Sequence, residues 1–157
     1  MKNAQQKFLN TYLDTLSKHQ RKGIKAITVE HFCANQKDAD TLAQLVKDGR
    51  KTATCSLKYW YDDKNTDLIP PQVDNLMLVT DYSGIPFCII QTISVEIKRF
   101  CDVDAGFSYF EGEGDRTLNY WKKIHRKFFI DECKHVGIEF DECMLLYLER
   151  FKVVFKA

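Results

Sequence analysis

Apolar residues at Phe8, Leu9, Tyr12, Leu13 and Leu16 recur at helical spacing and predict a helix over residues 5–17, with Gly23 as a stop beyond it. The β-branched run Ile27, Thr28, Val29 predicts a strand within residues 24–33. Leu42, Leu45 and Val46 fall on one side of a helix over residues 38–47, and Gly49 stands where its C-terminal cap belongs. From Lys51 onward the chain reads as β-rich. Residues 52–57 and 75–80 are strands, Tyr82-Ser83-Gly84 with Pro86 is a turn, and Pro86 to Arg99 is a long strand paired back as a hairpin. Along it Ile89, Gln91, Ile93, Val95 and Ile97 share one face, and Cys88, Ile90, Thr92, Ser94 and Glu96 the other. A short helix follows over residues 103–110. Asp115 is placed to cap the longest helix, residues 116–135, whose stripe is Leu118, Trp121, Ile124, Phe128 and Phe129 and whose end is Gly137. Residues 144–155 alternate as a final strand. No internal repeat, low-complexity tract or long linker interrupts this order. The fold class is therefore α+β, a mixed sheet curled into a small barrel with helices at its periphery.

Composition narrows the picture. The 157 residues suit one domain, and 45% hydrophobic content with 11 Phe and 7 Tyr is enough to close one core. A net charge of +1 shows no general basic excess, so any attraction for nucleic acid must come from a local patch. No apolar run reaches the roughly 20 residues that span a bilayer, and the N-terminal segment lacks a signal peptide's apolar core. The six cysteines are scattered without a C-x-x-C pair and read as reduced thiols. A cytoplasmic protein with no membrane partner is the expectation.

Two segments carry candidate chemistry. GRKTATCSL at 49–57 sets Arg50 and Lys51 beside the hydroxyls of Thr52, Thr54 and Ser56, which makes an anion-friendly corner. An ordinary helix-to-strand junction with solvated cations is the alternative, since basic residues at a helix C-terminus complement its dipole. EGEGDRTLNYW at 111–121 sets Glu111 and Glu113 around a glycine, then Asp115, Arg116 and Thr117 at a helix start. Its glycines allow positive φ and close approach of a ligand to the backbone. The structural alternative is a capped helix with acids near its N-terminus. No histidine lies near these acids in sequence, and His19, His31, His125 and His135 show no ligand or triad spacing, so no metal and no cofactor is expected. Cys55 reads as structural. Tyr59, Trp60 and Tyr61 either stack on a base or cover the barrel's mouth. Arg116, Lys122, Lys123, His125, Arg126 and Lys127 give the long helix a basic face, either solvated surface or a source of phosphate contacts.

Taken in order, GRKTATCSL, then VTDYSGIPFCII at 79–90, FCDVDAGF at 100–107 and EGEGDRTLNYW resemble the ASCH domain family. The resemblance runs from about Phe32 to the closing strand. It implies a PUA-like β-barrel over residues 24–157 preceded by a helical extension at 1–23. It also implies a cleft, between the first segment and the acidic loop, that binds RNA or a modified nucleoside. In the hydrolase branch of the family a Lys, a Thr and a Glu cleave acylated cytidine. Carried over by motif these are Lys51, Thr54 and Glu113, with Glu111 a competitor because the loop is longer here, and with Arg50, Thr52, Ser56, Tyr59, Trp60, Glu111, Asp115, Arg116 and Thr117 around the ligand. A partly desolvated Lys51 of lowered pKa would take the Thr54 proton. Three residues apart, the two fall on opposite faces of a regular strand, so Lys51 must lie in the turn before the pleat begins. A non-catalytic RNA-binding module, and a ribonuclease using Lys51, Thr117 and a tyrosine, are the other readings. Where many members carry V-G-D-L, this chain has Val73-Asp74-Asn75-Leu76, and an Asp or Asn can still take the left-handed turn.

Overall fold

A computed structural model describes residues 1–33, 35–62 and 66–156. Five strands, β1 (Ile27–Glu30), β2 (Ala53–Leu57), β3 (Leu76–Thr80), β4 (Pro86–Arg99) and β5 (Leu145–Lys156), form one sheet in the order β1-β3-β4-β5-β2. β1 runs parallel to β3, and every other pairing is antiparallel. Helices α1 (Asn3–Leu13), α2 (Lys18–Gly23), α3 (Gln36–Lys47), α4 (Tyr59–Asp62), α5 (Ala105–Glu111) and α6 (Leu118–His135) surround it. The α+β fold class stands.

The sheet is bent by bulges. In the β4–β5 ladder Thr92 opposes Phe151 and Ser94 opposes Arg150, so Ile93 is the extra residue, and a second irregularity skips Val154. Each bulge strengthens the twist and turns the strand. The even alternation expected along β4 therefore fails: Ile93 and Ile97 are exposed, while Ile89 and Ile90 are both buried. The same bend brings Thr28 and Glu30 of edge strand β1 to a cavity that is also lined by Thr54, Cys55 and Ser56 of the opposite edge, β2. The result is a half-barrel whose open side is a pocket.

Three apolar clusters hold the helices on the sheet. α1 sets Leu9 and Tyr12 against Leu76, Leu78 and Ile89. α3 sets Ala43 and Val46 against Val79, Cys88, Ile90 and Phe151. α6 sets Trp121, Phe129 and Cys133 against Leu57, Phe100, Leu146 and Leu148. The cap of α6 differs from the expectation. Thr117, not Asp115, accepts the Tyr120 amide at 3.2 Å, and Asp115 braces it by accepting the Thr117 hydroxyl at 2.7 Å. The physical reason is Arg116, whose φ of +65° keeps the residues before Thr117 out of the helix. Asp74 takes the left-handed conformation in place of the family's glycine, with φ +72°. No described helix is long and apolar enough to cross a membrane.

Candidate functional site

The site begins with how α3 ends. Gly49 has φ +74°, and the amides of Arg50 and Lys51 both donate to the Leu45 carbonyl, at 2.9 and 3.0 Å. This turn places Lys51 before β2 starts at Ala53, and its side chain enters the protein, 1% exposed. The geometric requirement from the sequence is met: Lys51 and Thr54 line the same cavity.

The acidic loop begins with how α5 ends. Glu111 is the last residue of α5, Gly112 turns the chain at φ +74°, and Glu113 follows. The loop is tied to the 50–52 segment by backbone contacts. Arg50 donates from Nε to the Gly112 carbonyl at 2.8 Å and from Nη2 to the Gly114 carbonyl at 2.7 Å. Arg116 donates back to the Arg50 carbonyl at 2.9 Å, and the Thr52 amide to the Phe110 carbonyl at 2.8 Å. A Cβ on Gly112 would collide with the Arg50 carbonyl. Gly112→Ala is therefore expected to cost at least about 1–2 kcal/mol for the left-handed backbone alone. The collision adds to that, and thermal denaturation against wild type would measure the sum.

Where these segments meet, the Lys51 ammonium donates to Glu111 Oε2 and, at 2.8 Å, to Glu113 Oε1. Both carboxylates of the motif are engaged. Burial alone would lower the Lys51 pKa, but the charges of Glu111 and then Glu113 outweigh it and hold the ammonium above the ordinary lysine range. The direction is opposite to the lowered value expected, because Glu111 and Glu113 both pair with the ammonium where the expectation set one orienting carboxylate beside it. Burial would likewise raise Glu111, yet the Lys51 charge, with His125, keeps its carboxyl below the usual range. Thr54 Oγ1 makes no hydrogen bond to Lys51 or to either carboxylate among the described residues.

The cavity measures about 450 Å³. Phe32 lies 5.5 Å from the Lys51 ammonium, Trp60 and Tyr61 form another wall, and Trp60 donates to Glu132 at 3.2 Å. Tyr61 donates to Ser56 at 3.2 Å. Away from Lys51, Glu149 accepts a 2.5 Å hydrogen bond from Thr92, and burial pushes its pKa up, an effect the Thr92 bond partly offsets.

Of the residues expected around a ligand, Lys51, Thr54, Ser56, Trp60, Glu111 and Glu113 line this cavity. Arg50, Thr52, Tyr59, Asp115, Arg116 and Thr117 do not. Arg50, Thr52 and Arg116 spend their donors joining the two segments, Arg116 packs over Tyr109 at 4.4 Å, Asp115 and Thr117 cap α6, and Tyr59 is exposed. The cavity also contains residues that the sequence reading left aside. His125 comes from the supposed basic face of α6, stacked on Trp121 with centroids 4.3 Å apart, and its Nε2 is 3.6 Å from Glu111 Oε1. Cys55 faces the same carboxylate, and burial, then the Glu111 charge, push its thiol well up. The signal for His125 was its i, i+4 spacing from Trp121 and from Phe129, which puts all three on one face.

The ASCH domain model matches residues 6–155. The solved structure of an ASCH domain from Lactobacillus crispatus JV V101 is 42% identical, with a TM-score of 0.92, covering 99% of this chain and 96% of that one. A protein from Enterococcus faecalis V583 is 29% identical, with a TM-score of 0.81, covering 100% of this chain and 96% of its own. No curated protein matches the chain. With a PUA-like half-barrel and the four ordered motifs in place, the chain belongs to the ASCH domain family.

Proposed function

We propose that this cavity binds a modified nucleoside and hydrolyses the amide of an acylated cytosine base. The observation that carries the reading is the buried Lys51 ammonium, held by Glu111 and Glu113 in a cavity of about 450 Å³ that Thr54 also lines. That volume lies within the usual range for small-molecule sites, about 300–1,000 Å³. Phe32, Trp60 and Tyr61 line the cavity with aromatic rings of the kind on which bases stack. Amide hydrolysis needs positive charge where the carbonyl oxygen becomes negative, a base for the nucleophile and an acid for the leaving amine. A lysine fixed in its charged form serves the first of these needs. The Thr54 hydroxyl is the nucleophile. Glu113, whose side chain is 18% exposed against 1% for Glu111, takes its proton and passes it to the departing amine. Water then cleaves the acyl-threonine ester.

One observation favours a second reading, binding without cleavage: Thr54 Oγ1 has no hydrogen bond to Glu113 or Lys51. Incubating the protein with an acylated cytidine, while following free cytidine and carboxylic acid by mass spectrometry, separates the two. Product formation supports hydrolysis. Saturable binding without product supports the module, and neither binding nor product would overturn both.

A further inference from the structure

We infer that Cys55, Glu111 and His125 form a three-ligand site for a borderline-soft divalent cation such as Zn²⁺, with its fourth position open to the cavity. The three ligand atoms, one from each residue, lie within 4.8 Å of one another. They come from β2, the end of α5 and the middle of α6, three elements fixed in the core rather than on mobile loops.

Two independent features point to a missing partner. Glu111 is 1% exposed, and its buried Oε1 makes no well-formed hydrogen bond among the described residues, the carboxylate facing only the Cys55 thiol and the His125 ring on that side, while Oε2 is taken by Lys51. Leaving a carboxylate oxygen dry and unmatched is costly. His125 is set up on the opposite side. Its Nδ1 lies 3.0 Å from the Trp121 carbonyl, so the neutral ring carries its proton there and turns the Nε2 lone pair toward Glu111 Oε1, 3.6 Å away. A backbone carbonyl on the far nitrogen is the usual support for a metal-bound histidine. Stacking on Trp121, tilted by 16°, fixes the ring plane.

The dimensions suit the ion. Bonds of about 2.0–2.3 Å in a tetrahedron put neighbouring ligands roughly 3.3–3.8 Å apart. The His125–Glu111 edge already falls in that range, and the cysteine sulfur, about 3.5 Å from its neighbours in such a site, has at most roughly 1.3 Å to close. Charge also permits it. Lys51 contributes one positive charge against two negative charges on Glu111 and Glu113, so the cluster is anionic before the thiol loses its proton to the metal. Cysteine, histidine and carboxylate together are a donor set that zinc accepts, and three protein ligands with one open position is the arrangement of catalytic rather than structural sites. The proposal goes beyond amide hydrolysis, because ion uptake is measured without any nucleoside.

The test is titration of the reduced, chelator-treated protein with Zn²⁺ by calorimetry and with Co²⁺ by absorption. The expected result is one ion per chain and a thiolate-to-cobalt charge-transfer band. Both are lost in Cys55→Ser and in His125→Gln, and both are kept in His135→Gln, whose ring is exposed and lies elsewhere on α6. Circular dichroism of each variant checks that the fold persists. Absence of uptake by the wild-type chain overturns the assignment. So does uptake that survives either substitution in a folded variant, or a cobalt complex without the thiolate band.

Discussion

Replacing Lys51 by methionine is expected to lower folding stability by about 3–5 kcal/mol, since removing one member of a buried ion pair leaves its partner's charge uncompensated. Here the partner is double. Among the described residues Glu111 already keeps one oxygen without a well-formed hydrogen bond, and losing Lys51 strands the other in a site 1% exposed. Urea denaturation reads this loss directly. Adding Glu111→Leu to the same chain is expected to recover part of it, because an apolar pair of similar volume often replaces a buried ion pair at little cost. The pH profile carries the same signature. The raised Lys51 pKa contributes stability that is complete below the ordinary lysine value and is lost as pH rises through the folded one. The lowered Glu111 pKa contributes stability present above the ordinary carboxylate range and lost as pH falls through the depressed value. Measured with a chelator present, the stability difference between wild type and Lys51→Met is therefore a plateau across neutral pH that shrinks at both ends. Turnover, on the hydrolytic reading, disappears with the same substitution.

Thr54→Val is expected to separate chemistry from folding. The hydroxyl holds no partner among the described residues, and valine keeps the shape and suits a strand, so stability should stay within about 0.5 kcal/mol of wild type. On the hydrolytic reading, cleavage of an acylated cytidine should fall by roughly 10²–10⁴-fold, the usual size of a lost proton-transfer step, because the proposed nucleophile leaves with it. On the proposed mechanism the hydroxyl acts in the transition state, so kcat and kcat/KM should drop together while KM holds. Steady-state kinetics with acylated cytidine check this. An unchanged kcat would remove Thr54 from the mechanism and leave water as the nucleophile.

The parts of this fold written in local pattern were legible from the sequence. The long strand Pro86–Arg99 was read to both its ends, and the helix cap at Gly49 was read from a glycine standing just past the last apolar position of the stripe. What local pattern does not carry is phase. The bulge at Ile93 turns Ile93 and Ile97 outward, and bulges depend on how β4 meets β5 rather than on either strand alone. The site divides in the same way. Lys51, Thr54, Glu111 and Glu113 stood in motifs and converge on one cavity. His125 was hidden among Arg126 and Lys127, and only the docking of Trp121 and Phe129 into the core turns it inward. The direction of the Lys51 pKa was misread because burial and pairing oppose each other, and pairing wins once both acids arrive. Arg50 and Arg116 looked like phosphate ligands because they are cationic. Their distances show them holding backbone carbonyls, which is what keeps the acidic loop against Lys51.

On the proposed function, ligands enter the cavity between β2, α6 and the acidic loop. A backbone amide chemical-shift titration of the protein with an acylated cytidine whose amide has been replaced by a non-hydrolysable ketone tests this. Saturable shifts are expected at Thr54, Cys55, Ser56, Trp60, Glu111 and Glu113, with the exposed Lys123 and Lys127 of α6 unmoved. Shifts confined to those exposed lysines, with the cavity residues silent at saturation, would contradict it.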